Sequence, residues 1–194
     1  MENQTSKFSF FEEKIKEKKI SPAVIFRLVA VFLTAWYFIL AAKNPEEWRF
    51  IDGVNLIFHE AGHSIVFFLG EFVQIAAGSI FQILVPAVLS LYFFGKKQFF
   101  SASLLLFWVG QSFVNISVYA KDSILMNLPL LGGDSTIHDW NYMLTNLGLL
   151  EYTAFIGGAI WFLGAFIILS AFILSLWTSF VPEKEDYSRA DPFL

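Results

Sequence analysis

The 194-residue chain has no cysteine. That absence excludes a disulfide framework and any thiolate metal site, so a metal would have to be held by His, Asp, Glu or Asn. Charge is scarce as well. Only 15% of residues are Asp, Glu, Lys or Arg, the net charge is −4, and no long basic run offers a footprint for nucleic acid, which is excluded as a partner. No internal repeat is visible, which argues against the transporter folds built from repeats. What is abundant is apolar: 56% of the residues are hydrophobic and 19% aromatic, far from a soluble mixture. An integral membrane protein is expected. A span of about 20 residues covers about 30 Å of hydrocarbon, so the chain has room for four to six spans and for no sizeable soluble domain.

Residues 1–21 mix five lysines with four glutamates and read as a polar or interfacial tail. Residues 22–181 form one membrane domain, and residues 182–194 a charged C-terminal tail. Within the domain, 23–42 reads as a first span, with Arg27 near one end where its stem can snorkel. The polar link "KNPEEWRFIDG" leads to an apolar segment carrying "HEAGH", residues 59–63. Residues 71–79, between Gly70 and the Gly78 region, read as a short membrane-embedded β strand or hairpin. Further spans are expected at 79–95, which contains Pro86, at 99–120 and at 153–181, with a loop and a short helix between 121 and 150. The expected fold is an all-α membrane protein, a polytopic bundle of about five or six transmembrane or re-entrant segments. If the lysine-rich start is cytoplasmic and every apolar run crosses, Lys96 and Lys97 fall outside, against the positive-inside tendency. A re-entrant element between 50 and 78 removes the conflict.

Ionisable groups inside lipid are costly, so His59, Glu60 and His63 demand a purpose. On a helix, His59 and His63 are four residues apart and project from one face, where they can share one ion, with Glu60 beside them. Neutral imidazoles suit Zn²⁺, and Glu60 is placed to move a proton as general base. Gly62 keeps one side of this helix thin, which would let a substrate backbone approach. A third ligand must come from elsewhere: Asp139, His138, Asp134 and Asp122 are the candidates. The bland alternative for "HDW" is a helix start in which Asp139 is the cap and His138 faces the headgroups. In the span at 99–120 and just beyond it, Gln111, Asn115, Tyr119 and Asp122 recur at i, i+4, i+8 and i+11, a polar stripe within about 80° of circumference. Such a stripe either glues helices together or lines a wet site.

These residues resemble the site-2 protease family of intramembrane zinc metalloproteases. "HEAGH" is similar to its zinc-binding helix, "EFVQIAAGS" at 71–79 sits where the family places a strand, and "GQSFVN" at 110–115 is similar to its Gly-Pro-x-x-Asn element. "NLPLLGGDSTIHDWNYML" at 127–144 resembles the stretch that leads to a helix-opening aspartate ligand. The resemblance implies His59, His63 and Asp139 as zinc ligands, Glu60 as general base and Asn115 as a polar group near the substrate carbonyl. Two departures mark a divergent member: Gln111 replaces the proline, and the only Asp-Gly pair, Asp52-Gly53, lies upstream of the HEAGH. His138 remains a rival third ligand because zinc favours imidazole. The family further implies hydrolysis of a peptide bond in a membrane-spanning protein or residual signal peptide, within or near the bilayer of the cell membrane. Choice of substrate would rest with the core or with a membrane partner, and the strand would hold the substrate extended by β-augmentation. The competing readings are a non-catalytic scaffold and a zinc-dependent hydrolase of a lipid or small substrate.

Overall fold

The computed structural model describes residues 20–128 and 137–181. Both tails and the "LGGD" stretch with Asp134 lie outside them. Among the described residues six α-helices follow in order: α1 (Pro22–Lys43), α2 (Phe50–Ile65), α3 (Glu71–Gly95), α4 (Phe99–Lys121), α5 (Asp139–Asn146) and α6 (Thr153–Thr178). Single 3₁₀ turns at Phe67–Leu69 and Leu150–Tyr152 precede α3 and α6. No strand occurs among the described residues. The architecture is an all-α bundle of membrane type, in which four helices, α1, α3, α4 and α6, are long and apolar enough to cross a bilayer.

Two expectations are corrected. Residues 71–79 are not a strand or hairpin: they are the first turns of α3, which runs unbroken from Glu71 through Pro86 to Gly95. Gly70, at φ +91°, ends the 3₁₀ turn, and Glu71 sits in the first turn of α3, where a carboxylate complements the helix dipole. A strand edge in hydrocarbon would leave its N–H and C=O groups unpaired, whereas a helix satisfies them internally, which overrides the β propensity of Val73 and Ile75. Among the described residues four helices are long and apolar enough to cross, fewer than the five or six transmembrane or re-entrant segments expected. The difference is α2, whose 16 residues reach only about 24 Å at 1.5 Å per residue, less than the hydrocarbon thickness.

The bundle has two ends. At one, Arg27 donates to the carbonyl of Val181 at 2.9 Å, Ser103 meets Thr178 at 3.1 Å, and Ser90 donates to the carbonyl of Ala102 at 2.9 Å, so the start of α1, the 96–98 turn and the end of α6 lie together. At the other, Trp161 donates to the carbonyl of Ala42 at 3.0 Å, and the 44–49 link, the segment after Lys121 and α5 gather. Helix α2 leaves the 44–49 link and returns to this same end, because its last turns lie against the start of α3, which in turn touches α5 through Phe72 and Tyr142. It therefore does not complete a crossing, and Lys96 and Lys97 share an end with the start of α1. The conflict posed by the charge pattern disappears.

With lipid outside, apolar burial alone does not drive helices together, and close backbone approach carries more of the packing. Helices α4 and α6 meet at Gly110 and Gly164. A Cβ on Gly110 would stand 2.8 Å from the carbonyl oxygen of Gly164, and one on Gly164 2.6 Å from that of Gly110. Around this crossing a core of Ala35, Phe107, Val114, Ile168 and Ala171 closes, with Phe38 stacked on Phe107 at 5.8 Å. Gly164→Val should therefore overpack the crossing and cost about 1–3 kcal/mol, read as a lower unfolding midpoint in detergent. A substitution at lipid-facing Phe166 should leave that midpoint unchanged.

Candidate metal centre

Helix α2 is polar along the face it turns inward. Asp52, Asn55 and His59 recur at i, i+3 and i+7, all buried, while Ile57 on another face is exposed. The helix starts where the backbone N–H of Arg49 donates to Asp52 Oδ2 at 2.7 Å. Arg49 itself is spent on the link, its guanidinium donating to the carbonyls of Asn44 and Glu47 and to the Glu47 carboxylate. The end of α2 packs on α3 through Gly62, where a Cβ would collide with the carbonyl oxygen of Ala77. The thin side of the helix at Gly62 is thus filled by α3, and no substrate backbone approaches there.

The centre forms where α2, α3 and α5 meet. His59 Nε2 lies 2.8 Å and His63 Nε2 3.2 Å from the same oxygen, Oδ2 of Asp139. Among the described residues, these three form the group whose ligand atoms all lie within metal-sharing distance, 4.8 Å. His63 Nδ1 stands 2.8 Å from the carbonyl oxygen of Gln74, a partner that requires the proton on Nδ1 and leaves Nε2 as the atom directed at Asp139. Burial alone would raise the carboxyl pKa of Asp139, but hydrogen bonds from His59 and then His63 outweigh it and hold the group below its ordinary value. Room at the cluster is kept by Gly78 of α3. A Cβ there would come within 2.6 Å of both Nε2 atoms.

This donor set fits Zn²⁺. Two imidazoles and one carboxylate are a common three-ligand complement for a catalytic zinc, and tetrahedral ligands at about 2.0–2.1 Å from an ion stand about 3.3 Å apart, near the spacing present. Glu60, next to His59, is exposed on a cavity of about 450 Å³ that it lines with His59, Trp48, Gln82, Asn115 and Tyr119.

The other candidate ligands fall elsewhere. His138 is the N-cap of α5: its Nδ1 accepts from the backbone N–H of Asn141 at 3.2 Å, and its Nε2 faces Asp122 Oδ2 at 3.4 Å. The roles in "HDW" are therefore the reverse of the bland alternative, with His138 capping and Asp139 turned to the cluster. Asp122 closes the turn after α4 by accepting from the N–H groups of Asn127 and Leu128, both at 2.9 Å. Neither residue joins the histidine pair. Tyr119 ties the two regions together: its hydroxyl accepts from the N–H of Asp139 at 3.1 Å, and its ring lies 4.4 Å from that of His138 and 5.9 Å from that of His59.

The remaining stripe residues meet a carboxylate that sequence reasoning left in a polar link. Asp52 Oδ1 accepts from Gln111 Nε2 at 2.5 Å and from Asn115 Nδ2 at 2.9 Å. The chain of donors continues outward: Asn55 donates to Gln111 at 2.6 Å, Trp108 to Asn55 at 2.7 Å, and Gln82 to Asn115 at 2.7 Å. Asp52, Asn55, Gln82, Trp108 and Gly78 build the surroundings of the cluster through contacts that the motif alone did not reveal. The legible signal was the recurrence of Asp52 and Asn55 on the His59 face of α2.

Removing this acceptor strands buried donors on α2 and α4. Asp52→Ala is expected to cost about 2–4 kcal/mol in unfolding free energy in detergent, with Asp52→Asn in between because one carbonyl oxygen is kept. No family model, no curated protein and no solved structure matches this chain.

Proposed function

We propose that this chain is an intramembrane zinc metalloendopeptidase that hydrolyses a peptide bond of a membrane-spanning protein within or near the bilayer. The observation that carries the reading is the convergence of His59, His63 and Asp139 on one point, with Glu60 on the adjoining cavity. A histidine pair, a carboxylate and a free glutamate are what metal-assisted hydrolysis requires. The resemblance of "HEAGH" and "IHDWNYML" to the site-2 protease family supports a peptide as the substrate.

When bound, a zinc ion supplies Lewis acidity, lowering the pKa of a water in the open position to about 7 and polarising the carbonyl to be attacked. The chain does the rest. Glu60 takes the proton from the attacking water and returns it to the departing amine. Asn115 has one amide hydrogen committed to Asp52 and its oxygen to Gln82, which fixes the amide plane and leaves the second hydrogen for a substrate carbonyl. Gln74 and Tyr119 orient His63 and Asp139 from behind. With 71–79 helical, β-augmentation is abandoned, and an unwound substrate would instead find its hydrogen-bond partners among the polar groups of the cavity.

Elemental mass spectrometry on detergent-purified protein tests the metal. One zinc per wild-type chain is expected, lost in His59→Ala/His63→Ala and in Asp139→Ala, retained in His138→Ala, and reduced in Gly78→Ala by the methyl placed between the imidazoles. No zinc after reloading would overturn the reading. Hydrolysis is tested by comparing protein termini in membranes that express wild type or Glu60→Gln. New termini in or beside membrane spans should vanish with Glu60→Gln, which keeps its zinc. Identical termini would point to a scaffold, and released lipid fragments without them to a lipid hydrolase.

A further inference from the structure

We infer that the cavity beside His59 and Glu60 opens on the non-cytoplasmic face of the membrane, so that its substrate is presented from that side. Two observations combine. The first is the position of the cavity. Its floor reaches Asp52 and Gln82 inside the bundle, and its mouth is formed by Pro45 to Trp48 of the α1–α2 link, Tyr119 in the last turn of α4 and Leu128 beyond it, all at one end of the bundle. Helix α2 both starts and finishes at that end, and α5 brings Asp139 to the cluster from the same end.

The second observation is the distribution of basic residues. In the sequence, ten of the 13 lysines and arginines flank the helix ends that meet at the opposite end: five precede Pro22, Arg27, Lys96 and Lys97 follow in α1 and the 96–98 turn, and Lys184 and Arg189 come after the end of α6. Only Lys43, Arg49 and Lys121 adjoin the cavity end. Of these three, Arg49 is committed to the carbonyls of the link, while Lys43 and Lys121 are exposed. Basic residues flanking spans are retained in the cytoplasm. The end holding the 96–98 turn is therefore cytoplasmic, and the cavity end faces away from it. The four candidate spans among the described residues, an even number, return the chain to the side on which α1 begins, in agreement with the charge on both flanks.

Sidedness stands on topology and charge alone. Its consequence for the substrate rests on the protease reading: the bond reached is in the non-cytoplasmic juxtamembrane part of the substrate, and the fragment set free is released on that side. Glu46, Glu47 and Trp48, all exposed at the mouth, would be the first residues it meets.

The natural lack of cysteine makes the test direct. Single-cysteine variants of the full chain, Glu46→Cys and Leu125→Cys at the cavity end and Gln98→Cys at the other, are expressed in a bacterial host. Spheroplasts are then treated with a membrane-impermeant maleimide before or after permeabilisation. Glu46→Cys and Leu125→Cys should label before permeabilisation and Gln98→Cys only after it. Labelling of Gln98→Cys in intact spheroplasts overturns the proposal, as does labelling of both Glu46→Cys and Leu125→Cys only after permeabilisation. Zinc content measured on the same variants separates this outcome from failure of the metal reading: inverted labelling with zinc retained refutes only the sidedness.

Discussion

A polar side chain placed in hydrocarbon has no water to fall back on, and the inward face of α2 carries several. Their partners decide the structure. Asp52 collects the N–H of Arg49 and the amides of Gln111 and Asn115, while His59 and His63 share one oxygen of Asp139. These two groups of contacts pin the same helix at its start and along its second half. Removing either would leave donors or imidazoles buried without acceptors, so the short helix is held at its depth in the bundle by polar pairing. The apolar face of α2 only has to meet lipid.

Pairing of this kind requires the helices to come close, and small residues provide the clearance. Gly62 lets the backbone of α2 rest on the carbonyl of Ala77, and Gly78 leaves the volume into which both imidazoles point. Gly110 and Gly164 perform the same service for α4 and α6, well away from the cluster. The first pair shapes the candidate site and the second only the scaffold, although in sequence all four are isolated glycines in apolar runs. What distinguishes Gly78 is the identity of the atoms a methyl would strike, nitrogen atoms of two candidate ligands in place of carbonyl oxygen.

Much of this was legible from residue order because membrane insertion imposes length and hydropathy so strictly. The helices α1, α4 and α6 lie within a few residues of the apolar runs that announce them. The histidine pair could be placed on one helix face because i, i+4 spacing has a single geometric meaning there. The segment 71–79 misled because Val73 and Ile75 with glycines nearby satisfy a local rule for strands, while the medium enforces a rule about backbone satisfaction that is not local. The third member of the cluster was ambiguous for a different reason. Adjacent residues at a helix start can exchange cap and inward roles, and zinc chemistry ranks His138 above Asp139 while geometry does the opposite. Asp52 escaped notice because it borders a polar link, and only the fold reveals that this border is buried.

The same accounting explains why the candidate site has a side. A helix of 16 residues cannot connect both surfaces, so α2 must begin and end at one of them, and whatever it carries is offered there. Had the segment been a full span, His59 and His63 could have sat at any depth with access from either side. Its shortness fixes the parity of the crossings at four and keeps the lysines of the 96–98 turn with those preceding α1. It also puts the mouth of the cavity between the α1–α2 link and the end of α4. Access from one face thus follows from the length of α2 and from where its polar face finds partners, before any property of the substrate is considered.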